Sequence, residues 1–273
     1  MKKDGDLFSR RAFLGAAAVA GVTASAVRLG AQGAPAPTEP GRKPGQKSVA
    51  QLRCSPISTI RIGFIGIGGR GSSLLGNLLE VDGVEIKALC DLVPERVQAA
   101  QRRIVARGKP EPVGYSKGER DFENLCRRDD VDVVYIASPW DWHVPMAVCA
   151  MRHGKHAATE VPAALTLAEC WELVDTAEQT QRHCMMLENC CYGEIELLVL
   201  SMVRQGVFGE LTHGEAGYLH EARNFMLQDD SATNWRRRFV QTLNGNLYPT
   251  HGLDRSHSTW ASTEVTSSTA WFR

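Results

Sequence analysis

From Ile60 to Leu187 short apolar runs of strand character alternate with amphipathic stretches of helical period, and the first run ends in three closely spaced glycines. Strands buried on both faces read as near-continuous apolar runs, and crossover helices must join them. The predicted fold class is therefore α/β, a doubly wound parallel sheet. Beyond Gly206 this alternation stops, and an incomplete α+β second domain is expected to follow.

The first run, Ile60 to Ile65, leads into Gly66-Ile-Gly68-Gly69-Arg70-Gly71, a G-x-G-x-x-G turn ahead of a helix expected from Ser72 to Glu80. Gly66 suits a tight turn, Gly68 a close backbone approach to phosphate, and Gly71 close packing of helix on sheet. The free N–H groups at the helix start then face an anion. A second run, Val84 to Cys90, ends in Asp91, about 20 residues past the last glycine, where a carboxylate accepts hydrogen bonds from a ribose. The pair predicts a Rossmann-type dinucleotide site and favours NAD over NADP.

Pro94 opens the next helix, Glu95 to Ala106, with Val97, Ala100 and Ile104 at helical spacing. A short helix near Phe122 to Arg127 precedes the strand Val131 to Ala137, whose end carries Trp140, Asp141, Trp142 and His143. In open α/β sheets that end lines the ligand crevice. Helix Val144 to Arg152, a strand ending at Glu160-Val161-Pro162, a helix capped by the box Thr166 to Glu169, and a strand His183 to Leu187 complete the pattern. A helix near Leu197 to Arg204 stops at Gly206, and Glu210 to Tyr218 has the look of a strand opening another domain. The segment Ala222 to Gly245 is polar and aperiodic, with Trp235-Arg-Arg-Arg238. It reads equally as a loop binding a polar ligand and as a solvated basic loop.

Zero formal net charge among 273 residues gives no electrostatic footprint for nucleic acid, so small-molecule chemistry is expected. The eight cysteines show neither a C-x-x-C pair nor zinc spacing, and the adjacent Cys190 and Cys191 read as packing. No metal is expected.

Residues 1–32 read as a targeting segment: Ser9-Arg10-Arg11-Ala12-Phe13-Leu14 precedes an alanine-rich run and a small-x-small site at Ala24-Ser25-Ala26. The pattern resembles a twin-arginine signal, which implies export in the folded state by the twin-arginine machinery, to a periplasmic or extracellular place or to a signal-anchored one. Residues 33–56 read as a flexible linker, 57–188 as the dinucleotide domain and 189–253 as the start of a substrate domain.

Gly154-Lys155-His156 followed by Glu160-x-Pro162 behind the glycine turn resembles the Gfo/Idh/MocA sugar oxidoreductases, whose dehydrogenases commonly carry a catalytic lysine between the Glu and the Pro. Here that position is Val161. The further motifs Glu188-Asn189-Cys-Cys-Tyr192-Gly-Glu, Gly209-Glu-Leu-Thr-His213 and Gly245-Asn-Leu-Tyr248-Pro249-Thr250-His251-Gly252 resemble glycoside hydrolase family 109, typified by α-N-acetylgalactosaminidases. This resemblance implies NAD contacts from Gly66, Gly68, Gly69, Arg70, Gly71, Asp91, Trp140 to His143, Glu160, Val161, Asn189 and Tyr248. It implies sugar contacts from Tyr218, Arg237 and Tyr248 through Pro249 and Thr250 to His251. It also implies an enzyme that removes terminal α-N-acetylgalactosamine by oxidation at C3, elimination, water addition and re-reduction, with NAD recycled. His251 and Tyr248 are the candidates for proton transfer, an imidazole and a phenol being suited to that work. Read alone, His251 would be an ordinary loop histidine. Two other readings remain: a periplasmic NAD-dependent sugar oxidoreductase, and a non-catalytic NAD-binding fragment.

After Leu253 the family would continue Gly-Pro-Ile-Ala-Gln, whereas this chain runs Asp254-Arg-Ser-His-Ser into a Ser/Thr-rich stretch ending at Arg273. Loss of one base from a GGA codon would convert the first into the second. The 254–273 segment is accordingly expected to be out of frame and the second domain truncated.

Overall fold

The computed structural model describes residues 43, 44, 46–213, 215, 217–221, 223 and 234–252. The expected signal segment 1–32 and the tail 254–273 lie outside the described residues.

Six parallel strands form one sheet: β1 (Ile60–Ile65), β2 (Val84–Cys90), β3 (Val113–Tyr115), β4 (Val133–Ile136), β5 (His156–Thr159) and β6 (Cys184–Met186), in the order β3-β2-β1-β4-β5-β6. The chain thus winds outward from β1 in one direction, then returns to place β4 on its other side. Residues alternate between faces along each strand, so β1 sends Ile62 and Phe64 one way and Ile65 the other. The first face is covered by α1 (Gly69–Leu78) and α2 (Pro94–Val105) through Leu75, Val97, Ala100 and Ile104. The second is covered by α3 (Phe122–Cys126), α4 (His143–Arg152) and α5 (Leu167–Thr180), with Leu125, Ala147, Met151 and Leu173 in the core.

The capping box forms as the sequence requires: Thr166 Oγ1 accepts from the Glu169 N–H at 3.2 Å, and Glu169 Oε2 accepts from the Thr166 N–H at 3.0 Å. β3 is a strand that periodicity missed, since three residues with exposed or half-buried side chains carry no apolar run. The expected linker is not loose throughout. Gln46 Nε2 donates to Asp175 Oδ1 at 2.8 Å, Gln181 Nε2 donates to the Lys47 carbonyl at 2.9 Å, and Val49 packs on the core. Its composition concealed side chains that complete the outer surface of α5.

Past the sheet come α6 (Glu194–Arg204) and α7 (Arg236–Thr242). α6 begins a turn earlier than apolar spacing suggested and stops before Gly206, whose φ of +72° suits glycine. The strand expected at Glu210 to Tyr218 is absent among the described residues of that stretch, and α7 lies inside the segment read as a loop. Apolar alternation alone cannot supply the neighbouring strand that a ladder needs. In α7 Phe239 alone is buried, which leaves too little apolar period to signal a helix. All eight cysteines are free thiols, with Cys90 and Cys126 buried and Cys54 and Cys170 exposed.

Candidate functional site

β1 and β4 lie side by side yet feed connections that leave in opposite directions, so their C-terminal ends open a crevice. Gly66 turns the chain there at φ +88°, and a Cβ on it would stand 2.5 Å from the Ala137 carbonyl oxygen that follows β4. At Gly71 a Cβ would come within 1.8 Å of the Gly66 oxygen. Only glycine allows α1 to start this close to the turn. Gly69 has open space before it and Gly68 meets only the end of the Arg96 side chain at 3.9 Å, which leaves the room that a pyrophosphate requires.

Asp91 follows β2 and is nearly buried. Its Oδ2 accepts from the Ile67 N–H at 2.6 Å and its Oδ1 from the Val93 N–H at 2.9 Å, so the carboxylate braces the glycine turn from which it would meet a ribose. Arg96, which the sequence reading omitted, reaches Asp91 at 3.5 Å. Arg70 pairs with Glu160 across the crevice at 3.3 Å.

A cavity of about 860 Å³ runs from this turn past the ends of β4 and β5. It gathers the predicted Gly66, Gly68, Gly69, Arg70, Gly71, Asp91, Trp140, Trp142, His143, Glu160, Val161 and Asn189, and it also brings in Tyr218, Tyr248 and His251 from the later part of the chain. His143 is fully buried, with Nδ1 2.7 Å from the Pro162 carbonyl and Nε2 2.9 Å from the Ser138 carbonyl. Burial holds its pKa below the ordinary value despite these carbonyls. Its ring therefore fixes the shape of the rim. Cys90 also lines the cavity, but burial with Asp121 and Asp91 nearby pushes its thiol up to about 12.

At the far end aromatic rings build the wall. The Trp140 ring lies 5.0 Å from Trp235 and 5.2 Å from Tyr248, both edge-on, while Tyr248 stacks on His251 at 5.3 Å and Tyr218 lies 4.7 Å from the same histidine. His251 Nδ1 is 2.6 Å from Glu188 Oε1, with both residues buried. Burial alone would raise the Glu188 carboxyl. The Cys190 N–H at 2.9 Å, then His251 and the Thr250 hydroxyl, reverse this and hold it below the usual range. Neither Thr250 Oγ1 nor Glu188 Oε2 closes a hydrogen bond of full geometry. Burial, with Cys190, Tyr248 and Glu188 close by, pushes the Tyr218 phenol up, so it stays a hydroxyl donor.

Asp141, Arg237, Pro249 and Thr250 are not on the cavity wall. Asp141 turns outward to an ion pair with Arg238 at 2.5 Å, and Thr250 sits behind the wall beside Glu188. Arg236 takes the place expected of Arg237: it lines the cavity, donates from Nε to the Tyr248 hydroxyl oxygen at 2.9 Å and lies over the Trp235 ring at 4.2 Å. A run of three arginines cannot disclose its register unless the helix is known. Glu188 was within reach of sequence reasoning, since it follows β6 and strand C-terminal ends line the crevice.

Residues 60–188 match the model described as oxidoreductase family, NAD-binding Rossmann fold, and residues 192–260 match the glycosyl hydrolase 109 C-terminal domain. Among curated proteins the chain is 49% identical over 250 residues to a glycosyl hydrolase family 109 protein of Solibacter usitatus, covering 91% of this chain and 54% of the relative. It is 48% identical over 248 residues to the counterpart in Shewanella pealeana, covering 90% and 54%. The chain is thus homologous, over about nine-tenths of its length, to glycosyl hydrolase family 109 proteins. It spans about half the length of the curated relatives it matches. Among solved structures, scyllo-inositol dehydrogenase from Lactobacillus casei superposes with a TM-score of 0.51 at 23% identity, over 57% of this chain and 44% of that one. The WlbA dehydrogenase from Chromobacterium violaceum, in complex with NADH and UDP-GlcNAcA, gives 0.51 at 22%, over 58% and 44%. These two share the fold. The cofactor of this Rossmann domain is NAD, and the glycine turn, Asp91 and Arg70 could hold it.

Proposed function

We propose that this chain carries the NAD site and the proton-transfer groups of an exported glycosidase that removes terminal α-N-acetylgalactosamine. The observation that carries the reading is His251, stacked against Tyr248 in the same cavity as the glycine turn and held from behind the wall by the buried Glu188. When bound, NAD⁺ supplies reversible hydride transfer at C3 of the sugar, which acidifies the proton at C2.

The residues of the chain perform the remaining work. Glu188 keeps a proton on Nδ1 of His251, so Nε2 is the basic nitrogen available to take a proton from carbon. Arg236 holds the Tyr248 hydroxyl oxygen in place, and that phenol meets a sugar hydroxyl. The Trp140 and Trp235 rings offer apolar faces to the sugar ring and exclude water. Val161 is buried at the cavity where dehydrogenases of the wider family carry a lysine, and it has no proton to give. This favours a cycle with no net oxidation over a simple dehydrogenase. Elimination then expels the aglycone without the paired carboxylates of an oxocarbenium mechanism.

The test uses a chromogenic α-N-acetylgalactosaminide in D₂O. The expected outcome is aglycone release, deuterium at C2 of the freed sugar and no accumulation of NADH. Steady NADH formation from free sugar would establish the oxidoreductase reading instead. NAD binding with no turnover would leave the binding-fragment reading.

A further inference from the structure

A second cluster of chemically active side chains lies away from the cavity. Cys54, in the segment leading to β1, is exposed. Its Sγ stands 3.7 Å from Nε2 of His156, the first residue of β5. His183 immediately precedes β6, and its ring centroid is 5.1 Å from that of His156. One ligand atom from each of the three can be chosen so that all lie within 4.8 Å of one another. Because His156 and His183 sit at the N-terminal ends of parallel strands, the cluster is at the opposite edge of the sheet from the crevice.

One thiolate and two imidazoles are a borderline-soft donor set. In a tetrahedral zinc site, bonds of about 2.3 Å to sulfur and about 2.0–2.1 Å to nitrogen set the sulfur–nitrogen separation near 3.6 Å. The observed 3.7 Å between Cys54 Sγ and His156 Nε2 is close to this, and the His183 ring closes on the ion from within 4.8 Å. We propose that Cys54, His156 and His183 form a zinc(II) site whose fourth position is a water, pinning the segment before β1 to the sheet edge. Binding releases the Cys54 thiol proton to solvent and forms the sulfur–zinc bond.

One existing contact must change. The His183 N–H donates to His156 Nδ1 at 3.0 Å, which leaves the ring proton of a neutral His156 on Nε2. For Nε2 to ligate, that proton moves to Nδ1 and the His183 amide loses its acceptor. The backbone amide of His183 thereby becomes a reporter of metal binding.

The experiment titrates the full chain, stripped with a chelator, with cobalt(II) and then zinc(II). One equivalent of cobalt should give a thiolate charge-transfer band and the intense visible bands of tetrahedral geometry, and zinc should displace both. Cys54→Ser should remove the charge-transfer band, and His183→Gln should weaken binding at least about tenfold, while NAD affinity stays unchanged. Zinc should also shift the His183 amide resonance. Cys190→Ser separates this site from the Glu188, Cys190 and His251 donors at the cavity wall and should leave the band intact. Absence of the band, its survival in Cys54→Ser, its loss in Cys190→Ser or an unmoved His183 amide would each overturn the proposal.

Discussion

Helices α4 and α6 are both apolar segments of similar length, yet they meet different fates. α4 lies against the sheet and buries seven of its residues, from His143 to Met151. α6 buries Val203 alone, and Ile195, Leu197 and Leu198 are exposed at 66%, 47% and 54%. Periodicity reports that a helix has an apolar face. It does not report whether a partner is present to cover it. The sheet half is a closed packing problem, solved within residues 46 to 188, whereas α6 contributes Val203 alone to the buried set.

The contrast breaks most directly at Leu125 of α3, which is fully buried against the sheet. Leu125→Ala should cost roughly 2–5 kcal/mol, because the surrounding core cannot collapse into the space. Urea unfolding followed by circular dichroism would show it. A loss under about 0.5 kcal/mol would mean that this half is not the rigid body its packing indicates.

Gly71→Ala comes next. The added Cβ meets backbone at 1.8 Å, so α1 must move away from the turn. Overpacking of this kind costs about 1–3 kcal/mol, and NAD affinity should fall at least about tenfold because the phosphate cradle opens. Calorimetric titration with NAD separates the two effects. Normal NAD affinity in the variant would show that the turn does not set the cofactor position.

These two positions differ in how far the sequence disclosed them. The glycine turn was fully legible, since spacing, strand and Asp91 agree and each has one physical purpose. The winding of the sheet followed from the alternation of elements, apart from β3, which is too short and exposed to leave a pattern. The later residues were legible only as motifs. Tyr248 and His251 reach the cavity because α7 and the rings of Trp140 and Trp235 pack behind them, contacts that no local period encodes. Arg236 lines the cavity and Arg237 does not, because one step along a helix rotates a side chain by about 100°. Asp141 shows the converse: its neighbours Trp140 and Trp142 face the cavity while it turns to Arg238.

Glu188 joins the two regions, since it ends the sheet half and holds His251 of the later half. Glu188→Gln should destabilise by about 1.5 kcal/mol, the value of a hydrogen bond to a charged group. The sign of its pH dependence follows from the lowered folded pKa. The stabilisation is complete above the ordinary glutamate value of 4.5 and is lost as pH falls through the folded value. The difference between wild type and variant, followed by thermal unfolding, should therefore be constant near neutrality and shrink in acid. A difference that grows in acid would rule out a charged Glu188 as the pin. In the same variant, NAD affinity should be unchanged and C2 deuterium exchange slowed.

The smallest effect is expected at Leu198. It projects from α6 with 54% of its surface exposed, so replacing it by Ser removes little packing. Leu198→Ser should change stability by less than about 0.5 kcal/mol. This is the sharpest test of the contrast, because Leu125 and Leu198 are the same residue type on short helices and differ only in what lies over them. If Leu198→Ser costs as much as Leu125→Ala, the face of α6 is covered in solution. The difference between the halves would then lie in where the covering surface comes from, and no longer in whether there is one.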